Sequence, residues 1–197
     1  MDNKNTMQYR ARSQVALAMA DPRTCQVMSM MLERRPALFS QGVDTAYLAA
    51  QIAEAMDYQG DRNELVTAAL VHDAGMLTVP DSIVMKKGRL DAGEREAVHR
   101  HALDGATMLA GMGFPEHVLE VVRMHHERSD GSGYPFSAVS PDIPRAAKIV
   151  MVCDVYEALT SDRPQRKAFN MYEACSMMAE MPISRATLQA IKLCNDV

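Results

Sequence analysis

Apolar residues recur along most of this chain at intervals of three and four, which is the spacing of an α-helix with one buried face. The segment from Val43 to Met56, for example, places Ala46, Ala49 and Ala53 on one stripe. Strand-like alternation of apolar and polar residues is scarce. The pattern therefore predicts an all-α fold. The predicted helices cover residues 7–19, 24–35, 43–56, 64–74, 91–110, 115–126, 144–160, 170–181 and 184–195.

The segments between the predicted helices contain residues that commonly end or begin a helix. Pro36 is expected to end the second helix, and Pro115 to open a later one at its first position. The helix over 91–110 is predicted to break near His101 to Gly105. Residues 129–144 hold glycines and prolines in quick succession, which predicts a long ordered loop. Ordered loops longer than about 12–15 residues are usually functional.

Composition narrows the class of protein. The chain has 197 residues, of which 48% are apolar, and a formal net charge of −4. This suits one domain with a hydrophobic core and excludes intrinsic disorder. No apolar run approaches the roughly 20 residues of a membrane span, and the mildly acidic balance argues against binding DNA or RNA polymers. Scattered cysteines without a CxxC pair and a polar N-terminus without a secretory signal predict a cytoplasmic protein.

Several titratable side chains stand in apolar surroundings, where a lone charge is costly to bury. His72 and Asp73 come at the end of an apolar helix, and Asp154 stands within an apolar run. Neutral imidazole and carboxylate together suit zinc, iron or manganese. The His-Asp pair alone is weak evidence, because the helix dipole also stabilises a histidine at a helix C-terminus. Asp154 alone is equally compatible with a salt bridge or a helix cap.

A second group of histidines strengthens the metal interpretation. His125 and His126 are adjacent and directly precede the glycine-rich loop. Adjacent helical residues point about 100° apart, so both reach one centre only where the helix end faces it. His101 lies four residues before Gly105, where a small residue allows close packing. Taken together, these residues predict a metal site.

These residues and the phrases around them resemble the HD-GYP subgroup of the HD-superfamily metal-dependent phosphohydrolases. The similarity covers about residues 37–180. The phrases that carry it are Val79-Pro-Asp-Ser-Ile-Val, Lys87-Gly-Arg-Leu, His125-His-Glu-Arg-Ser-Asp-Gly-Ser-Gly-Tyr-Pro and Asp154-Val-Tyr-Glu-Ala-Leu-Thr-Ser-Asp-Arg-Pro. The resemblance implies an HD-domain helical bundle over residues 37–197, preceded by an N-terminal helical segment over residues 1–36.

The resemblance also implies an activity and a set of site residues. The family hydrolyses the bacterial second messenger cyclic di-GMP, first to the linear dinucleotide and often onward to GMP, with bound iron or manganese. The implied metal ligands are His72, Asp73, His101, His125, His126 and Asp154. The implied contacts to the cyclic dinucleotide are Gly133, Tyr134, Pro135, Arg163 and Arg166. The planar fork of arginine suits phosphate, and a solvated basic turn is the alternative for the two arginines.

The sequence departs from the family pattern at two places. Met76 stands where the family carries a lysine poised over the substrate phosphate, and methionine can neither donate a proton nor offset charge. No histidine precedes His72, so an earlier metal ligand of the family is missing and Gln41 is the nearest candidate. We therefore expect one or two iron or manganese ions. His99 lies two residues from His101 and is expected to face away from it. The two histidines outside the predicted site, His99 and His117, are both expected to be exposed.

Three functions remain open at this point. The sequence favours a protein of cyclic di-GMP signalling that binds metal and the cyclic dinucleotide, hydrolyses it weakly or not at all, and acts through partners. The alternatives are an active cyclic di-GMP phosphodiesterase and a phosphohydrolase of another nucleotide. The expected partners are cyclic di-GMP, a diguanylate cyclase (GGDEF) domain at the Gly-Tyr-Pro loop, and a second copy in a homodimer.

Overall fold

A computed structural model describes residues 3–162 and 166–195 of the chain. Across these two ranges the chain has no β-strand, only isolated bridges such as the one between Asp130 and Val139. The predicted all-α fold is therefore confirmed. The helices are α1 (Asn3–Met19), α2 (Pro22–Arg34), α3 (Pro36–Ala55), α4 (Arg62–Val71), α5 (Asp81–Val84), α6 (Ala92–His99), α7 (His101–Gly111), α8 (Glu116–Met124), α9 (Arg145–Thr160), α10 (Met171–Ala179) and α11 (Arg185–Asn195).

Local capping explains where several helices begin. The Asp21 carboxylate accepts a hydrogen bond from the backbone N–H of Arg23 at 2.9 Å, and Pro22 occupies the first position of α2. At the start of α6, Asp91 and Glu94 each bond the backbone N–H of the other. Both arrangements satisfy N–H groups that the first turn of a helix leaves without a partner.

Two boundaries differ in instructive ways from the sequence pattern. Helix α3 begins at Pro36, well before the predicted start at Val43, because proline suits the first position of a helix as well as the position after its end. The first turn of α3, Pro36-Ala-Leu-Phe, is apolar, but Ser40, Gln41 and Gly42 interrupt the helical apolar spacing before Val43. The helix over 91–110 is interrupted at Arg100, which separates α6 from α7, so the break comes just before the predicted range of 101–105.

Helix α3 lies at the centre of the fold and packs against α1, α2, α4, α9 and α11. Its side chains Ala46, Ala49 and Ile52 are completely buried. At Gly42 the backbone of α4 comes so close that a Cβ atom would overlap the carbonyl oxygen of Leu70. The small residues of α3 thus fix the C-terminal end of α4, which leads into His72 and Asp73.

A 3₁₀ turn, Ala74–Thr78, follows α4 and crosses α7 at two glycines. A Cβ on Gly105 would lie 2.9 Å from the backbone nitrogen of Gly75, and one on Gly75 would lie 2.6 Å from that of Gly105. Only glycine allows the two backbones to approach this closely. The close packing expected from the small residue at position 105 is confirmed, and it brings the start of α7 beside Asp73.

The first two helices belong to the same hydrophobic core as α3, through buried residues such as Ala11, Val15 and Met31. The division of the chain after residue 36 stays a prediction. In the part of the chain that the structure describes, no helix is both long and apolar enough to cross a membrane.

We expect Asp21→Ala to lower the free energy of unfolding by about 1 kcal/mol, because α2 loses its N-terminal cap. The Arg23 side chain, hydrogen-bonded to the Asp21 carboxylate, lowers the pKa of that group to about 2. The ionic part of the stabilisation is therefore present at neutral pH and is lost as the pH falls towards 2. Urea unfolding at neutral and acidic pH measures this. Asp21→Asn keeps the cap without the charge, and an equal loss in both variants would contradict the capping role.

Candidate metal centre and the adjoining pocket

Three buried histidines are oriented in the same way by a backbone carbonyl of the preceding turn. In each, Nδ1 lies within hydrogen-bond distance of the carbonyl oxygen three residues earlier in the chain. These distances are 2.8 Å for His72, 2.6 Å for His101 and 2.7 Å for His125. A ring that donates its Nδ1 proton to a carbonyl keeps a lone pair on Nε2, which is the atom that then binds a metal.

The free nitrogens meet a carboxylate where the ends of three helices come together. The Nε2 atoms of His101 and His125 are 3.3 Å apart. Oδ1 of Asp73 lies 3.2 Å from Nε2 of His101 and 3.6 Å from Nε2 of His125. His126 completes the group, and the ligand atoms of all four residues lie within 4.8 Å of one another. We call Asp73, His101, His125 and His126 the metal cluster.

His72 and Asp154 border the metal cluster. The Nε2 atom of His72 is buried and has no hydrogen-bond partner among the residues that the structure describes. The carboxylate oxygens beside it are Oδ2 of Asp73 at 3.5 Å and Oδ1 of Asp154 at 3.8 Å. Helix α9 thus presents Asp154 to the same centre, and all six predicted metal ligands lie together.

Burial opposes charge on these side chains, and their mutual contacts decide the outcome. Burial alone would lower the pKa of His72, but the carboxylates of Asp73 and Asp154 outweigh it and raise that pKa to about 9. Burial likewise opposes ionisation of Asp73, yet the neighbouring imidazoles hold its pKa well below the usual range. Burial lowers the pKa of His125 and, further, that of His126. The lowered pKa values of His125 and His126 favour the neutral imidazoles that metal coordination needs. The pKa of His101 is raised because its contact with Asp73 outweighs burial, so His101 and His72 would each release a proton when an ion binds.

The donor set fits a divalent transition metal. With Nδ1 protonated, His101 and His125 turn lone pairs towards each other and towards Asp73, which is unfavourable unless a proton or a cation lies between them. The unpartnered Nε2 of His72 adds a further buried atom in need of a partner. Imidazole and carboxylate ligands suit zinc, iron or manganese, so the residues present fit such an ion.

The loop after α8 is fixed by a buried glutamate that the sequence reasoning missed. Glu127 is 1% exposed, and its carboxylate accepts hydrogen bonds from the N–H of Phe136 at 2.6 Å and of Ala138 at 2.9 Å. Gly133 lies against the same turn, where a Cβ would come within 2.5 Å of the Cα of Glu127. The available signal was an acidic residue placed between the histidine pair and the glycine-rich loop.

Tyr134 contacts two histidine rings. It stacks on His99 with ring centroids 3.9 Å apart and planes inclined by 6°, and its centroid lies 4.6 Å from that of His126. The prediction that His99 is exposed and faces away from the site is therefore wrong. In a continuous helix His99 would point away from a residue two positions later, but α6 ends at His99 and the break at Arg100 changes its direction.

A pocket of about 280 Å³ opens beside the metal cluster, and His126 belongs to both. This volume lies close to the lower limit of about 300 Å³ for pockets that hold small-molecule ligands. Gly133 and Tyr134, predicted to contact the nucleotide, line this pocket. The other lining residues are His99, Arg128, Ser132, Met151, Val155, Met181 and Ile183.

The other residues predicted to contact the nucleotide, Pro135, Arg163 and Arg166, are not among the described residues that line this pocket. The Arg166 guanidinium donates to the carbonyl oxygens of Leu159 and Lys167, both at 3.0 Å, so it caps the end of α9. Its phosphate-binding role stays a prediction. Pro135 follows Tyr134 in the loop, and Arg163 lies outside the described residues.

The structure also describes Met76 and Gln41, the two positions discussed as departures from the family pattern. Met76 is half-buried and packs against the hydrophobic core, and its N–H donates to the carbonyl oxygen of Asp73 at 2.9 Å. Gln41 is half-buried on α3. His117 is 81% exposed, as expected, with Nδ1 3.4 Å from a carboxylate oxygen of Glu64.

We expect Glu127→Ala to lower the free energy of unfolding by about 1–3 kcal/mol, because two backbone N–H groups lose their acceptor. Hydrogen exchange at the amides of Phe136 and Ala138 should become faster, while exchange within α3 should not change. Glu33→Ala removes an exposed acid from α2 and serves as the control. Unchanged exchange at the two loop amides in Glu127→Ala would contradict the role of Glu127 in fixing the loop.

The comparison with known proteins agrees with the fold and the site. The sequence profile described as HD domain matches residues 26–186, so the chain belongs to the HD-domain family. Bd1817, an HDG"Y"P protein from Bdellovibrio bacteriovorus, has a similar solved structure, with a TM-score of 0.70 at 16% identity. The match covers 99% of this chain and 65% of that one, and at this identity it shows the fold alone.

Relatives named as cyclic dinucleotide phosphodiesterases are similar to this chain over more than half of its length. The chain is 46% identical over 114 residues to the cyclic di-GMP phosphodiesterase PA4108 of Pseudomonas aeruginosa, covering 57% of this chain and 28% of that protein. It is 34% identical over 138 residues to 3'3'-cGAMP-specific phosphodiesterase 3 of Vibrio cholerae, and this match covers 70% of this chain and 29% of that protein. The chain thus spans less than a third of the length of either relative. The family resemblance found in the sequence is confirmed.

Proposed function

We propose that this chain binds a divalent transition metal and a cyclic dinucleotide, cyclic di-GMP by preference, and hydrolyses it weakly or not at all. The observation that carries the proposal is the metal cluster, whose four ligand atoms lie within 4.8 Å of one another. The names of the relatives, which act on cyclic dinucleotides, support the choice of ligand.

Different residues of the chain would bind the metal and the nucleotide. Asp73, His101, His125 and His126 would hold one ion, iron or manganese by resemblance to the family. His72 and Asp154 would contribute to a second, less complete position. When bound, such an ion supplies a Lewis acid for a phosphodiester oxygen and an activated water. The loop that Glu127 fixes would hold Tyr134 against the nucleotide.

The expectation of weak hydrolysis rests on two substitutions. Met76 offers neither a proton nor a charge to a phosphodiester, so no lysine at this position stabilises the transition state. No histidine precedes His72, and Gln41 is the nearest candidate for the missing ligand of the second metal position. An amide is a poorer ligand than imidazole for a transition metal, so occupancy beside His72 and Asp154 would be lower.

An active phosphodiesterase is the second candidate, because the metal cluster itself is complete. Turnover separates the two. Purified full-length chain, loaded with manganese or iron, should bind cyclic di-GMP in calorimetry and hydrolyse it at less than about 1 per second, the low end of ordinary enzymes. Faster release of linear dinucleotide or GMP would favour the active enzyme. Absence of bound cyclic dinucleotide would overturn both candidates.

The wider role is part of the same proposal. We propose that the protein acts in the cytoplasm in cyclic di-GMP signalling, that the loop around Tyr134 docks a GGDEF domain, and that the chain can form a homodimer. The exposed Phe136, which lies two residues beyond Tyr134 in this loop, offers an apolar contact for such a partner. Co-purification with a GGDEF domain, lost in Phe136→Ser and retained in Tyr9→Ser, tests the docking surface.

A further inference from the structure

The pocket beside the metal cluster holds one charged side chain that neither the metal nor the loop uses. Arg128 lines the pocket, and the other lining residues are aromatic, apolar or uncharged polar side chains. The acids that flank it in sequence are engaged elsewhere. Glu127 accepts from the amides of the loop, and Asp130 accepts from the backbone N–H and the hydroxyl of Ser132.

Arg128 is exposed, and its guanidinium is within electrostatic range of the Asp130 carboxylate without forming a hydrogen bond or close ion pair with a residue that the structure describes. An arginine in this state presents up to five N–H donors in a planar fork and no acceptor. It therefore selects a ligand edge that offers two acceptors side by side.

The position of the pocket says which part of a cyclic dinucleotide would meet this fork. His126 belongs to the metal cluster and also lines the pocket. A phosphodiester held at the metal cluster would therefore place the attached nucleoside in the pocket. The pocket volume of about 280 Å³ exceeds what a phosphate alone would fill. The aromatic side chains His99 and Tyr134 and the apolar side chains Met151 and Val155 are suited to a flat base.

The two purine bases offer opposite chemistry to an arginine fork. Guanine presents the acceptors O6 and N7 side by side, whereas adenine replaces O6 by an amino donor. A donor-only guanidinium bonds both guanine atoms and is left with an unfavourable donor–donor contact at adenine. The relatives of this chain act on cyclic dinucleotides that differ in this base, cyclic di-GMP in one and 3'3'-cGAMP in another.

We propose that Arg128 is the residue that selects guanine, by a bidentate contact to the base of the nucleotide that occupies this pocket. This inference rests on the proposed binding of a cyclic dinucleotide and adds which base is read and by which side chain. Arg128 is a specificity-determining residue in this role, and it takes no part in holding the metal.

The test is a comparison of dissociation constants for the manganese-loaded, full-length chain with cyclic di-GMP, 3'3'-cGAMP and cyclic di-AMP. We expect Arg128→Met to weaken binding of cyclic di-GMP by about 5- to 150-fold, the range of one bidentate base contact. Binding of cyclic di-AMP should stay within about twofold. Arg128→Lys should recover only part of the loss, because an ammonium lacks the planar fork. Arg34→Met, which removes an exposed arginine from α2, controls for the change in net charge.

The possible results distinguish guanine selection by Arg128 from the binding of a cyclic dinucleotide itself. If Arg128→Met weakened the binding of all three ligands equally, Arg128 would contact the phosphate and not the base. That result would overturn guanine selection, while the proposed binding of a cyclic dinucleotide would stand. Unchanged affinity for cyclic di-GMP, or the same loss in Arg34→Met, would overturn guanine selection as well. Failure of the wild-type chain to bind any of the three ligands would overturn the proposed function together with the inference. Because Arg128 is exposed, the variants should keep the wild-type melting temperature.

Discussion

Asp73→Ala is expected to abolish the rise in thermal stability that manganese or iron gives to the wild-type chain. A ligand that binds only the folded state at about 100 times its dissociation constant adds about 2.7 kcal/mol to the free energy of unfolding. Asp73 supplies the carboxylate that faces both His101 and His125, at 3.2 Å and 3.6 Å from their Nε2 atoms. Without it, the cluster loses its anionic ligand.

The measurement is a melting curve across a metal titration, together with the metal content of the dialysed protein. Asp142→Ala removes an exposed carboxylate of equal charge and should retain the full shift. His126→Ala is a second variant that removes one ligand and leaves Asp73 beside His72. A normal metal-dependent shift in both Asp73→Ala and His126→Ala would contradict the assignment of the metal cluster.

Met76→Lys is expected to raise the rate of cyclic di-GMP hydrolysis by about 10²-fold, the effect commonly seen for one transition-state donor. The backbone of Met76 is bonded to the carbonyl oxygen of Asp73 at 2.9 Å, so this position is tied to the metal cluster. A lysine would supply the positive charge that the family places over the phosphate. The half-buried methionine also packs against the core, so the variant should be less stable.

The rate of product formation at saturating manganese, measured by chromatography of the linear dinucleotide, tests the prediction. Met76→Leu keeps the packing without a charge and should hydrolyse at the wild-type rate. A wild-type rate in Met76→Lys, with metal content and nucleotide affinity unchanged, would show that the missing lysine does not limit hydrolysis. The proposed function would then depend on the missing histidine before His72 alone.

The sequence predicted the parts of this molecule that helical periodicity and side-chain chemistry govern. The all-α fold, an interruption near His101 and the close packing at Gly105 follow from apolar spacing and residue size, and the structure has them. Four of the six predicted metal ligands form one group, and His72 and Asp154 border it. Their chemistry made isolated burial costly, which is why the sequence alone could group them.

The parts that the sequence did not predict depend on how elements meet. His99 was set aside because a continuous helix would turn it away, and the break at Arg100 reversed that direction. Glu127 was not recognised because its partners are backbone amides of Phe136 and Ala138, which carry no signal in their side chains. Such contacts depend on the backbone conformation of the loop and therefore cannot be predicted from its side chains.

The carbonyl contacts of His72, His101 and His125 have a consequence for which metal the protein carries. Each ring is oriented by its own stretch of chain, so the donors are in place before an ion arrives and need little rearrangement to accept one. A preset group of imidazoles and a carboxylate accepts zinc, iron and manganese alike, and their relative affinities follow the Irving–Williams order. We therefore expect the metal found in the purified protein to depend on which metals the growth medium supplies. Activity measured without removing and replacing that metal would then depend on the growth conditions as well as on the protein.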